Sequence, residues 1–186
     1  MVNKPIYPSG WVPLARWQCI VDEIDCGDRI ELRSGETKMY KHILIATDGS
    51  ELADRGVEQG FALAQAVGAK VTVLSVTEPM PERARHAAVI GGVEDPAARY
   101  DQSIVNDMKF RFASISARAS EKGVSVDLVH EIDMHPAEAI VRLADRENCD
   151  LIVMSSHGRR GVRRFVLGSQ TAEVVTHTTI PVLVIR

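Results

Sequence analysis

From residue 42 onward, short apolar runs alternate with stretches in which apolar residues recur every three or four positions. Residues 42–47 (His-Ile-Leu-Ile-Ala-Thr) read as a buried strand closed by Asp48-Gly49-Ser50. Ser50 is placed to cap the next helix, with Asp54 in its first turn. Residues 51–67 carry Leu52, Val57, Phe61, Leu63, Ala64 and Val67 at near-helical spacing, and Gly68 stops that helix. Residues 70–76 are β-branched and predict a second strand. Residues 77–97 hold Pro79, Pro81, Gly91, Gly92 and Pro96, which predicts a long loop. A helical pattern resumes over 98–121 through Tyr100, Ile104, Met108, Phe112, Ile115 and Ala119, and Gly123 ends it. Residues 124–129 predict a third strand, 137–146 a helix with Pro136 in its first turn, and 150–154 a fourth strand. A last helix over 169–177 and a terminal strand over 180–185 complete the pattern.

Strands and helices alternating at this spacing predict an α/β fold: βαβ units forming one parallel sheet covered on both faces. Right-handed crossovers make it doubly wound. In such sheets ligands bind outside the carboxyl ends of the strands, where the strand order reverses. The turns after residues 47, 76, 129 and 154 are therefore the places to look.

Residues 1–38 do not join this pattern. They offer two short strand-like pieces, 19–21 and 30–32, and both tryptophans, Trp11 and Trp17. They lack a basic start followed by an apolar run, so they do not read as a secretory signal. The texture changes at Met39, which is the expected natural start. Codons for Gly35-Glu36 can contain a ribosome-binding sequence shortly before it. Residues 1–38 are then an extension or a mis-called upstream reading frame; the alternative is a real N-terminal arm covering an apolar patch or a partner.

Composition narrows the class. A hydrophobic share of 45% supports a packed core and excludes wholesale disorder. Aromatics are only 5%, so aliphatic residues carry the core, as in buried parallel strands. A net charge of −3 lacks the broad basic field of a dedicated nucleic-acid binder. No apolar run approaches the roughly 18 residues that a membrane-spanning helix needs. Cys19, Cys26 and Cys149 form no CxxC pair, so free thiols in a reducing, cytoplasmic compartment are expected.

Two turns carry candidate chemistry. The first is Thr47-Asp48-Gly49-Ser50. The second is Ser155-Ser156-His157-Gly158-Arg159-Arg160-Gly161, followed by Leu167-Gly168-Ser169. Glycine lets a backbone approach a phosphate closely. The amides of Gly168 and Ser169, at the start of the last helix, are placed to face an anion with the helix dipole behind them. The Ser169 hydroxyl adds a donor, and Arg159, Arg160, Arg163 and Arg164 raise the local positive potential. Asp48 suits a ribose hydroxyl or a magnesium ion. His157 is a candidate for orienting a phosphate. Each piece alone is ordinary turn or surface chemistry. The chain has no Walker A sequence and no GxGxxG, and its six histidines show no metal-ligand spacing.

Together these pieces resemble the universal stress protein family. The resemblance covers residues 39–186. It is carried by Tyr40-Lys41-His42-Ile43-Leu44-Ile45-Ala46-Thr47-Asp48-Gly49-Ser50 and by Asp150-Leu151-Ile152-Val153-Met154-Ser155-Ser156-His157-Gly158-Arg159. Leu167-Gly168-Ser169 and Ile180-Pro181-Val182-Leu183-Val184-Ile185 complete it. It implies five parallel strands in the order 3-2-1-4-5, with the reversal between strands one and four. The ATP-binding branch has the pattern glycine, two residues, glycine, nine residues, glycine, then serine or threonine. Gly158, Gly168 and Ser169 fit it; the first position falls on Ser155. The serine brings a Cβ and a hydroxyl that either clash with a ligand or hydrogen-bond a phosphate. The resemblance also implies Asp48 at the ribose and magnesium, the Val76 backbone at the adenine, and Ala46 lining the same pocket. It further implies a homodimer formed through the final strand, whose apolar residues 181–185 leave one edge free.

The expected function is thus an ATP-binding, homodimeric stress-response module without efficient catalysis. A nucleotide-free dimerisation or interaction module, with Ser155 closing the phosphate site, is the alternative. An adenylating enzyme would need a substrate domain for which the length leaves little room. For the chain start, intact mass of the protein made from its native operon is expected to match a chain beginning at Met39. A mass matching all 186 residues would contradict that expectation.

Overall fold

The computed structural model describes residues 39–157 and 167–186. Its strands are β1 (His42–Ala46), β2 (Lys70–Thr77), β3 (Val126–Ile132), β4 (Leu151–Ser155) and β5 (Val182–Ile185). Its helices are α1 (Glu51–Val67), α2 (Glu82–Ile90), α3 (Pro96–Glu121), α4 (Pro136–Arg146) and α5 (Ser169–His177). The strands form one sheet in the order β3-β2-β1-β4-β5, and every neighbouring pair is parallel. This is the doubly wound α/β fold and the strand order expected.

Strand periodicity divides the core in two. Ile43, Ile45, Val71, Val73 and Val153 point to one face, where Val57 and Phe61 of α1 and Ile115 of α3 cover them. Leu44, Leu74, Ile152 and Met154 point to the other, under Ile140 and Leu143 of α4 and Val174 of α5. Helix α1 begins at Ser50, whose hydroxyl oxygen accepts from the Ala53 amide at 3.2 Å. It ends at Gly68, left-handed at φ 67°. Gly60 lets α1 lie close on the sheet: a Cβ there would come within 2.4 Å of the Ile45 side chain.

Residues 77–97 are not one long loop. Residues 82–90 form α2, because the prolines and glycines that suggested a loop lie outside it: Pro81 precedes it and Gly91 and Gly92 follow. The helix buries no residue, so it carries no apolar periodicity, and its first turn is supported by an Arg85–Glu82 ion pair. Helix α3 starts at Pro96, with the Asp95 carboxylate accepting from the Ala98 amide at 3.2 Å. The third strand also lies later than expected. The Val124 amide still bonds to Ala119 at 2.9 Å as the chain leaves α3, and the strand then runs through polar Asp127, His130 and Glu131 at the sheet edge.

The amino end of the sheet is closed by hydrogen bonds. The Asp150 carboxylate accepts from the amides of Lys41 (2.8 Å) and His42 (3.1 Å). The buried His42 ring lies 3.0 Å from the Glu147 carbonyl through Nδ1 and 2.8 Å from the Thr72 hydroxyl through Nε2. A carbonyl only accepts, so Nδ1 donates and Nε2 accepts from Thr72 in the neutral ring. Cys149, nearby, is a free thiol that burial pushes up to about 12, so it stays protonated. Cys19 and Cys26 lie outside the described residues, as does every expectation for residues 1–38. Among the described residues no helix is long and apolar enough to cross a membrane.

Burial lowers the pKa of His42 below its ordinary 6.5. Below pH 6.5 the unfolded chain then takes up a proton that the folded ring refuses, so stability falls with falling pH until the folded pKa is passed. Urea unfolding at pH 7.5 and 5.5 is expected to show a smaller pH effect in His42→Gln than in the wild type. His130, whose pKa burial also lowers, titrates in both proteins and cancels in the comparison. Equal pH effects in the two proteins would contradict this role for His42.

Candidate functional site

The site begins with two turns that leave the sheet side by side. After β1, the Thr47 amide still bonds to the Leu74 carbonyl at 2.9 Å. The chain then turns on Gly49, left-handed at φ 73°, and the Asp48 carboxylate accepts from the Ser50 amide at 3.0 Å. After β4, the Ser156 amide bonds to the Ile185 carbonyl at 2.7 Å. The Ser155 hydroxyl donates to the His157 carbonyl at 2.9 Å, and the Ser155 carbonyl accepts from the Thr171 hydroxyl at 2.9 Å. The Gly168 amide donates to the Ser156 carbonyl at 2.8 Å, which fixes the start of α5 beside the end of β4.

Between these turns, at the carboxyl ends of the strands, lies a crevice of about 710 Å³. Of the residues expected at a site, Asp48, Val76, His157, Gly168 and Ser169 line it. Ala46 does not; it packs into the core beside α4 and α5. Ser155 does not line it either, being buried with its hydroxyl turned onto the backbone of its own turn. Gly158, Arg159, Arg160, Arg163 and Arg164 lie outside the described residues.

Gly168 acts through what it lacks. Its amide is engaged by Ser156, so it does not face a ligand, while a Cβ at this position would come within 2.9 Å of the Ser156 carbonyl oxygen. The N-cap position of α5 is Gly168, which has no side chain to cap the helix, so among the described residues first-turn amides from Ser169 onward are available at its positive end. His157 Nδ1 lies 3.1 Å from the Ser156 hydroxyl, and Nε2 is buried without a hydrogen-bond partner among the described residues. A buried orphan nitrogen lining a crevice is a place where a polar ligand atom fits. Among the described residues no group of three or more histidines, cysteines or carboxylates is arranged to hold a metal ion.

Sequence reasoning missed the opposite wall. Tyr100, Asp107 and Arg111 of α3 line the crevice, with Thr77 at the end of β2 and Glu78 after it. The Tyr100 hydroxyl donates to the Glu78 carbonyl at 3.3 Å. Arg111 Nη1 donates to the Asp48 carbonyl at 2.9 Å. The apolar spacing of α3 marks its core face; nothing in that spacing tells where its longer side chains end.

Residues 39–186 match the model of the universal stress protein family. A universal stress protein of Thermus aquaticus, encoded in a QAH/OAS sulfhydrylase 3′ region, is 34% identical over 149 residues, covering 80% of this chain and all of that protein. Among solved structures, protein MJ0577 of Methanocaldococcus jannaschii is similar at a TM-score of 0.66 and 30% identity, over 79% of this chain and 96% of that one. A universal stress protein of Archaeoglobus fulgidus, solved in complex with dAMP, shares the fold at a TM-score of 0.55 and 20% identity, over 79% of this chain and 98% of that one.

Gly168→Ala is expected to lower the free energy of unfolding by about 1–3 kcal/mol, as its Cβ forces the Ser156 carbonyl aside. Urea denaturation measures this, and an unchanged midpoint would show that the close approach is not required.

Proposed function

The chain belongs to the universal stress protein family, and from that premise we propose that it is a stress-response module that binds ATP in this crevice. The observation that carries the reading is convergence. Asp48, Val76, His157 and Ser169 come from strand ends, turns and a helix start far apart in sequence and line one crevice at the reversal between β1 and β4. The crevice suits an adenine nucleotide in its chemistry as well as its place. The Val76 backbone is at hand for the adenine, and Asp48 for the ribose hydroxyls and a magnesium ion. Uncapped amides at the start of α5, the Ser169 hydroxyl and the orphan His157 Nε2 offer donors to phosphate oxygens. The same fold carries dAMP in the Archaeoglobus fulgidus protein.

Ser155 stands outside the lining, its hydroxyl engaged by the His157 carbonyl. That favours an open phosphate site over the nucleotide-free alternative. The crevice assembles groups that hold a ligand, so the reading is of binding and signalling without efficient catalysis. β5 is the last strand of the sheet order and pairs with β4, and its Leu183 is 37% exposed. A second copy pairing along its other edge makes the module a homodimer. A cytoplasmic location accompanies this reading.

Calorimetry with ATP and magnesium tests it. Binding is expected, and Asp48→Ala should weaken it by about tenfold or more, the worth of one hydrogen bond to a charged group. Absence of heat at about millimolar ATP would overturn the reading.

A further inference from the structure

We infer that Arg111 is a phosphate-recognising residue of the crevice, and that it makes the site select adenine nucleotides over the bare nucleoside. The assignment rests on the nucleotide reading above and adds a ligand contact from α3, outside both turns that carry the family resemblance.

Among the described residues lining the crevice, Arg111 is the one lysine or arginine, and it shares the lining with the carboxylates Asp48, Glu78 and Asp107. A phosphate entering such a crevice meets a predominantly acidic wall, so it needs a cation close by. Arg111 is that cation within the described part of the chain.

A guanidinium carries five N–H donors in a planar fork that matches a phosphate. Here Nη1 donates to a neutral acceptor, the Asp48 carbonyl, at 2.9 Å. No carboxylate of the described residues pairs with Arg111. Three other arginines are ion-paired: Arg118 lies 3.2 Å from Glu58, Arg142 2.8 Å from Asp133, and Arg55 3.0 Å from Glu51. Among the described residues Arg111 is the arginine that is half-buried in the crevice without a carboxylate in ion-pair contact. A ligand anion can take the remaining donors in charge-assisted hydrogen bonds, the stronger kind.

The turn is shaped to admit the guanidinium. A Cβ at residue 49 would lie 2.0 Å from Arg111 Nη1. The left-handed φ of 73° also favours glycine there. The turn that presents Asp48 therefore also seats Arg111 beside it. One backbone bend brings together the carboxylate suited to ribose and the cation suited to phosphate.

Calorimetry with ATP–magnesium and with adenosine separates the roles, using wild type, Arg111→Met and Arg111→Lys. Arg111→Met is expected to weaken ATP by about tenfold or more while leaving adenosine unchanged. Arg111→Lys, which keeps the charge but not the fork, should recover part of the loss. Equal weakening of ATP and adenosine would reduce Arg111 to a prop for the Asp48 turn and overturn the assignment. So would unchanged ATP binding in Arg111→Met beside a wild type that binds, which leaves the nucleotide reading standing. A wild type that binds neither compound overturns both. Thermal unfolding checks the fold of each variant. If Arg111→Met does not fold, Arg111→Lys carries the test: weaker ATP with unchanged adenosine supports the assignment, and any other result overturns it.

Discussion

The strand order reverses between β1 and β4, and the rest of the molecule depends on that constraint. The connection leaving β1 goes to α1 on one face, while the connection leaving β4 goes to α5 on the other. Two neighbouring strands thus send their chains apart, and a parallel sheet has nothing of its own to fill the gap between them. Parallel strands must also be covered on both faces, which is why the core divides into two apolar layers. The opening and the core are two consequences of one topology.

The two ends of the sheet then take different tasks. At the amino ends, backbone and side-chain polar groups satisfy one another: Asp150 accepts from two amides, and His42 bridges Glu147 and Thr72. At the carboxyl ends, among the described residues, polar capacity is left over in the uncapped start of α5, the orphan His157 Nε2 and the donors of Arg111. Buried or half-buried groups without partners cost stability. They gather around one crevice, where a polar ligand atom would satisfy them.

Most of the fold was legible because strand and helix periods report which face a residue occupies. Ile43, Leu44 and Ile45 show the alternation, and Gly68 and Ser50 mark the helix ends by their backbone and capping chemistry. Helix α2 was not legible, since a helix that buries nothing leaves no periodic trace. The end of β3 was obscured by His130 and Glu131, polar residues tolerated at a sheet edge. The site divided in the same way. Asp48, Gly168 and Ser169 follow strands or open a helix, so position in the chain announced them. Arg111 lies 63 positions from the carbonyl it bonds, and only the packing of α3 against the turn after β1 reveals that meeting.

The central claim is that an adenine nucleotide sits in the crevice between the turns after β1 and β4. Amide chemical-shift mapping during titration with ATP–magnesium tests it most directly. The account predicts that the largest shifts fall on Asp48, Val76, His157 and Ser169, with Lys41, His42 and Asp150 at the opposite end of the sheet unmoved. Shifts concentrated at the amino ends of the strands or along α2, with those four amides silent, would contradict it.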